Sequence, residues 1–194
     1  MTPSATGTPS PSPTGPFVST VLTGSEASSH GPAVTEVLGL NGQGLTDLTL
    51  DLCGKNYPSD NKRADRLQVS YVMNGGTIAE SNEIVKYQPG GAALAFAELT
   101  HTTCPKQFTE PNNDVVAHTT ISRGGAGLLA MSVIVTATIE QHAGGPIGAA
   151  SIYQFDGDYL DGVYVFRATV DEALHDALAY ATLSATKLRA LAGG

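Results

Sequence analysis

Apolar and polar positions alternate in a regular succession of elements from about residue 67 onward, and much less clearly before it. Leu67–Met73 and Ile78–Gln88 read as two strands joined at Asn74-Gly75-Gly76, a tight-turn signal. Gly90–Thr103 reads as a helix with Ala92, Phe96 and Leu99 on one side. Cys104-Pro105 ends it, because proline cannot continue the ladder and restricts the residue before it. Val115–Ser122 alternates weakly, and Leu128–Gln141 is β-branched and Thr-rich between glycines. Ile147–Phe155 and Tyr159–Ala168 predict a second hairpin around Asp156-Gly157-Asp158.

The last helix carries the sharpest signal. Thr169 and Glu172 fit a capping box, in which hydroxyl and carboxylate each accept a backbone N–H that the helix start leaves unpaired. Leu174, Leu178, Ala181, Ala185 and Leu188 form the apolar stripe behind it. Asp171 and Glu172 sit at the positive end of the helix dipole, Lys187 and Arg189 at the negative end. Upstream, Phe17–Leu22 fits either a helix or a strand, and Ala33–Leu40 is the one plausible element within residues 24–44. Leu45–Cys53 alternates as a strand with a leucine face, a short helix being the alternative, and Gly54–Asn61 reads as a loop. Consecutive hairpins with two principal helices predict an α+β fold. Its expected form is a mainly antiparallel sheet of about 5–7 strands with both helices packed on one face.

Composition changes the picture at the N-terminus. Residues 1–16 are almost entirely Pro, Thr, Ser and Gly, so they predict an unstructured linker ahead of one α+β domain over residues 17–194. The opening reads like the middle of a longer precursor, with an export signal or lipid-anchored cysteine expected upstream. No apolar run is long enough for a transmembrane helix. The net charge is -8, and no Lys or Arg precedes Lys55. Binding to nucleic acid or anionic lipid needs clustered cations, and the chain does not supply them.

Two cysteines, Cys53 and Cys104, in an exported chain are most simply a disulfide. The alternatives are two buried thiols or a metal site. Two cysteines alone do not fill a tetrahedral zinc shell, and no histidine follows either at finger spacing. No metal or cofactor is therefore expected.

Catalytic patterns are sparse, and the chain is expected not to be an enzyme. His30, His101, His118, His142 and His175 are scattered, and His175 and Asp176 are expected to face different ways on their helix. Ser184-Ala-Thr-Lys187 and Ser59-Asp60-Asn61 echo the S-x-x-K and S-D-N motifs of penicillin-interacting serine enzymes, but in reversed order and without K-T-G. Gly39-Leu-Asn-Gly42-Gln-Gly44 lacks the strand and helix of a dinucleotide loop. Asp156-Gly157-Asp158 with Asp161 suits a tight turn better than a calcium loop. The basic residues Lys55, Lys62, Arg63 and Arg66 form the one local positive patch. They are read either as a contact for an acidic partner or wall polymer, or as a solvated loop paired with Asp60 and Asp65.

Three segments carry a family resemblance: LDLCGKNYPSDNKRADRLQVSYV, NEIVKYQPGGAALAFAELTHTTCP, and YQFDGDYLDGVYVF leading into the A-x-K-L helix. Over roughly residues 45–190 the chain resembles small extracytoplasmic domains of actinobacterial lipoproteins and secreted proteins, which are similar to the external sensor domain of mycobacterial receptor-type Ser/Thr kinases. The resemblance implies an antiparallel sheet with helices against it, a groove between them, binding rather than catalysis, and Cys53–Cys104 as the family's bridge. The kinase sensors carry two bridges and this chain has cysteines for one, and no kinase domain is present, so a stand-alone lipoprotein fits better.

The expectation is thus a non-enzymatic binding or sensor-like domain outside the cytoplasm, secreted or anchored as a lipoprotein. Its groove would be lined by Tyr71, Tyr87, Tyr153 and Tyr164 with Arg63 and Arg66, for a small molecule, wall polymer or envelope protein. The alternatives are a structural or protein–protein module of the envelope, or an unrecognised hydrolase with a convergent Ser/His/Asp set or paired carboxylates.

Overall fold

The structure, a computed structural model, describes residues 17–40, 45, 50, 52–73, 78–110, 113–141 and 145–193. The expected linker over 1–16, the turn at Asn74-Gly75-Gly76 and most of the strand expected over Leu45–Cys53 lie outside these residues.

Among the described residues, eight strands form one antiparallel sheet: β1 (Val34–Leu40), β2 (Arg63–Met73), β3 (Ile78–Tyr87), β4 (Gln107–Thr109), β5 (Val115–Arg123), β6 (Met131–Gln141), β7 (Gly145–Asp156) and β8 (Tyr159–Arg167). Their order is β1-β2-β3-β8-β7-β6-β5-β4, so β8 inserts beside β3 and closes the sheet's centre. Seven strands are long and β4 is a three-residue edge piece that the sequence pattern did not signal. The helices are α1 (Gly24–Ala27), α2 (Gly91–His101) and α3 (Val170–Ala192), with a short 3-10 helix at Pro58–Lys62 that takes up the second half of the loop expected over Gly54–Asn61 and runs one residue past it. The expected capping box opens α3: the Thr169 hydroxyl accepts from Glu172 N–H at 3.2 Å, and Glu172 accepts from Thr169 N–H at 3.1 Å.

The α+β class, the antiparallel sheet and the Cys53–Cys104 bridge are as expected. The layering is not. Successive residues of a strand point to opposite faces, and β7 sends Ala150 and Ile152 into the cluster with α3 but Tyr153 and Phe155 into the cluster with α2. The two principal helices therefore cover opposite faces. The cause is that β7 is apolar on both sides, which demands a layer on each.

On the α3 face, Leu67, Val69, Tyr71, Ile84, Val163 and Val165 meet Ala173, Ala177, Tyr180 and Ala181. Small alanines let the helix approach the sheet closely. Phe17, Val21 and Leu22 extend this cluster, so the undecided Phe17–Leu22 segment is a turn that buries these three side chains and leaves Val18 exposed. On the α2 face, Val85, Tyr87, Val133, Val135, Phe155 and Leu160 meet Ala92, Ala95 and Leu99, with Leu50, Leu52 and Tyr57 packed beside them. The bridge joins this last segment to Cys104, three residues past the end of α2, at a Cα–Cα distance of 5.4 Å.

Candidate functional site

The centre of β3 breaks the rule that a strand covered on both sides is apolar. Glu80, Ser81, Asn82 and Glu83 follow one another, and each is buried. A buried charge is tolerated only when paired or hydrogen-bonded, and each of these residues leads to partners on its own face.

Towards α3 lies Asn82, whose Nδ2 donates to Asp161 Oδ1 at 2.7 Å. Asp161 Oδ2 accepts from Ser184 Oγ at 2.5 Å and from Gln154 Nε2 at 3.2 Å. Asn82 Oδ1 accepts from Leu22 N–H, and Gln154 Oε1 from Leu129 N–H. Burial pushes the Asp161 carboxyl up to about 6, against the pull of the hydrogen bonds from Ser184, Asn82 and Gln154. The network ties the N-terminal segment, three strands and α3 together in a closed space. At the sheet's end, Arg167 donates to Glu80 Oε2 and to Asp176 Oδ2, each at 2.7 Å. Burial raises the Glu80 carboxyl even beside that guanidinium.

Towards α2 lies Glu83, and here the sites expected from sequence converge. Arg66 Nε donates to Glu83 Oε1, and Tyr164 Oη donates to Glu83 Oε2 at 2.8 Å. Arg66 Nη2 also donates to Gln68 Oε1 at 2.6 Å, and Gln68 Nε2 reaches Ser81 Oγ at 3.4 Å. The strand register explains the gathering, since Gln68 faces Glu83 and Glu83 faces Gly162 across neighbouring strands. Gly162 is needed: a Cβ there would lie 2.9 Å from Tyr164 Oη, in the space the phenol crosses to reach Glu83. Gln68, Ser151 and Tyr164 keep partial exposure, so this polar row meets solvent at one end. Burial, then the neighbouring Glu83 charge, raises the Tyr164 phenol well above its usual range, which keeps it a donor.

Five of the six expected residues share this face. Tyr153 is buried, with its ring edge-on to Tyr164 at 5.7 Å. Arg63 and Tyr87 are paired across β2 and β3 at the end of the row. Arg63 lies 3.8 Å from Asp60 Oδ1 and donates to the Leu45 carbonyl at 2.5 Å. Tyr71 does not belong: it is buried on the opposite face and donates to the Leu22 carbonyl at 2.6 Å. The picture of a solvated basic loop fails for Arg63 and Arg66, which are 8% and 4% exposed and turned into the protein. Sequence reasoning missed Glu83, Gln68 and Ser81. The available signal was the four-residue polar run inside a strand.

The serine-enzyme echo does not assemble. Ser184 donates to buried Asp161, while Lys187 Nζ goes to the Val21 carbonyl at 2.9 Å and Glu26 Oε2 at 2.6 Å. His175 and Asp176 do touch, Nδ1 to Oδ1 at 3.1 Å, contrary to expectation, but the imidazole is 80% exposed. Gly157 is left-handed at the β7–β8 turn, as a tight hairpin requires, and Asp161 points beneath α3 instead of into that turn. Among the described residues no group of three or more His, Cys, Asp or Glu is placed to hold a metal ion.

No protein-family model matches the chain, and no curated protein does. Among solved structures, it is similar to the extracellular domain of PknH from Mycobacterium tuberculosis, with TM-score 0.49 and 12% identity over 85% of this chain and 92% of that one. No residue role transfers at that identity.

Proposed function

We propose that the chain is a non-enzymatic binding domain that works outside the cytoplasm, in an actinobacterial envelope, and takes a polar ligand at the Arg66–Gln68–Glu83–Tyr164 row. One observation carries the reading: a guanidinium–carboxylate–phenol chain lies on the sheet face beside α2 and reaches solvent through Gln68 and Tyr164. Such a row offers fixed donors and acceptors at low reorganisation cost, which is what a polar ligand needs to offset its own desolvation. It is poorly suited to chemistry. Glu83 accepts from Arg66 and Tyr164, and the Tyr164 phenol is kept protonated, so the phenol is not poised to give up its proton near neutral pH. The disulfide supports a location outside the reducing cytoplasm. Among the described residues no helix is long and apolar enough to cross a membrane. The resemblance in sequence supports a lipoprotein or secreted form.

The test uses soluble wall saccharides released by muramidase digestion as the probe, read by chemical-shift changes in 15N-labelled protein. Saturable shifts at β2, β3 and β8 that weaken at least tenfold in Tyr164→Phe and Arg66→Gln support the reading. Shifts unaffected by both variants place binding elsewhere. Release of new reducing ends from the saccharide on prolonged incubation ends the non-enzymatic reading.

A further inference from the structure

Seven buried side-chain oxygens have no hydrogen-bond partner among the described residues, and four of them belong to one junction. They are Ser59 Oγ and Asp60 Oδ1 of the 3-10 helix, Glu98 Oε1 of α2, and Tyr87 Oη at the end of β3. The junction is tightly built. Ser59 N–H reaches the other Glu98 oxygen at 3.4 Å, and Asp60 Oδ2 accepts from Tyr57 N–H at 3.1 Å. A Cβ on Gly91 of α2 would lie 2.9 Å from the Cβ atoms of both Lys62 and Tyr87, so helix, 3-10 helix and strand meet there. Burial, then the charges of Glu83, Asp60 and Glu98, raises the Tyr87 phenol, with Arg63 acting against them.

Charge makes the arrangement unbalanced. Asp60 has Arg63 at 3.8 Å, whereas Glu98 has no cationic side chain in ion-pair range among the described residues. Ser59 and Tyr87 are fully buried hydroxyls beside these carboxylates, yet neither donates to them. Unpartnered carboxylate and hydroxyl oxygens at one junction, with a carboxylate lacking a counter-charge, form a donor set suited to a hard cation. We propose that Ser59, Asp60, Tyr87 and Glu98 bind a small oxygen-seeking metal cation that clamps the 3-10 helix to α2. A buried water satisfies the same oxygens without adding charge, and the test turns on that difference. The site lies past the end of the Arg66–Glu83 row, sharing Tyr87 with it, and does not depend on the function proposed for the row.

The experiment is thermal unfolding of the whole chain, chelator-treated and held in choline chloride, then supplied with calcium chloride or sodium chloride at constant ionic strength. A cation bound only by the folded chain raises the midpoint by about 5–10 °C at a hundredfold excess over its dissociation constant. The Glu98→Gln variant, which keeps shape and removes charge, is expected to lose most of that rise. Terbium emission excited through tyrosine gives a second readout, since the chain has no tryptophan. It is expected to fall in Tyr87→Phe and to be displaced by the cation that raises the midpoint. A midpoint that neither cation moves, or a rise and an emission that Glu98→Gln keeps, overturns the site and leaves ordered water at the junction. If Glu98→Gln does not fold, Ser59→Ala and Tyr87→Phe carry the same comparison.

Discussion

At the scale of single residues, the polar side chains in the middle of β3 decide the behaviour of the molecule more than its apolar ones do. Asp161 is the most consequential of their partners, because it is a buried carboxylate held by neutral donors alone among the described residues. Its carboxyl titrates at about 6 in the fold against 3.8 ordinarily. The folded chain therefore binds a proton more tightly than the unfolded chain does. The stabilisation tied to that proton is complete below pH ~4 and fades as pH rises through about 6, a change on the order of 3 kcal/mol. Glu80 is raised as well and acts in the same direction, whereas Glu26 is lowered and acts oppositely. Comparison with Asp161→Asn isolates the one group. The stability difference between wild type and variant should shrink by about that amount from pH 4 to pH 7, measured by urea unfolding at each pH. A difference that stays constant with pH would show that Asp161 does not titrate in this window.

At the scale of elements, the docking of α3 depends on a position that shows no pattern in the sequence. A Cβ on Gly148 of β7 would lie 2.1 Å from the Thr169 carbonyl carbon and 2.2 Å from Val170 N. Backbone cannot swing aside as a side-chain tip can. Gly148→Ala should therefore cost about 1–3 kcal/mol by lifting the first turn of α3 off the sheet. Thr169→Ser keeps the capping hydroxyl and should cost a few tenths at most. Equal midpoints for the two variants would contradict this docking. The start of α3 was legible because a capping box is local: four residues state it in full. The β7–β8 hairpin was legible for the same reason. The side of the sheet each helix covers was not, because β7 runs apolar on both faces and alternation then carries no sign. The Arg66–Glu83–Tyr164 row was half legible. Arg66 and Tyr164 stood out as types, but Glu83 joins them only through a register that pairs β3 with β8, some eighty residues away in the chain. Tyr71 was misplaced by the same ambiguity, since a tyrosine in a two-sided strand does not announce its face.

At the scale of the whole molecule, the bridge is the one disulfide tie between the α2 layer and the segment that precedes β2. It joins residues 51 apart, and in the chain-entropy account a closed loop of that length is worth about 4 kcal/mol. The same contact is also held without the sulfurs. Tyr57 Oη lies 2.9 Å from Thr102 Oγ1, Lys55 Nζ donates to the Thr103 carbonyl at 2.9 Å, and Leu50, Leu52 and Leu99 are buried together. The α3 face owes nothing to the bridge, because its cluster and the Asp161 network lie across the sheet. Reduction should therefore lower the urea midpoint without abolishing folding. The loss should be about 4 kcal/mol, less whatever is regained when Cys53 leaves its left-handed backbone conformation at φ 62°. Hydrogen exchange should show where the loss falls: amides of α2 and of residues 52–57 exchange faster in the reduced protein, while those of α3 and β7 keep their protection relative to global unfolding. Uniform acceleration across both faces would mean that the two layers unfold as one unit and that the bridge stabilises the molecule as a whole.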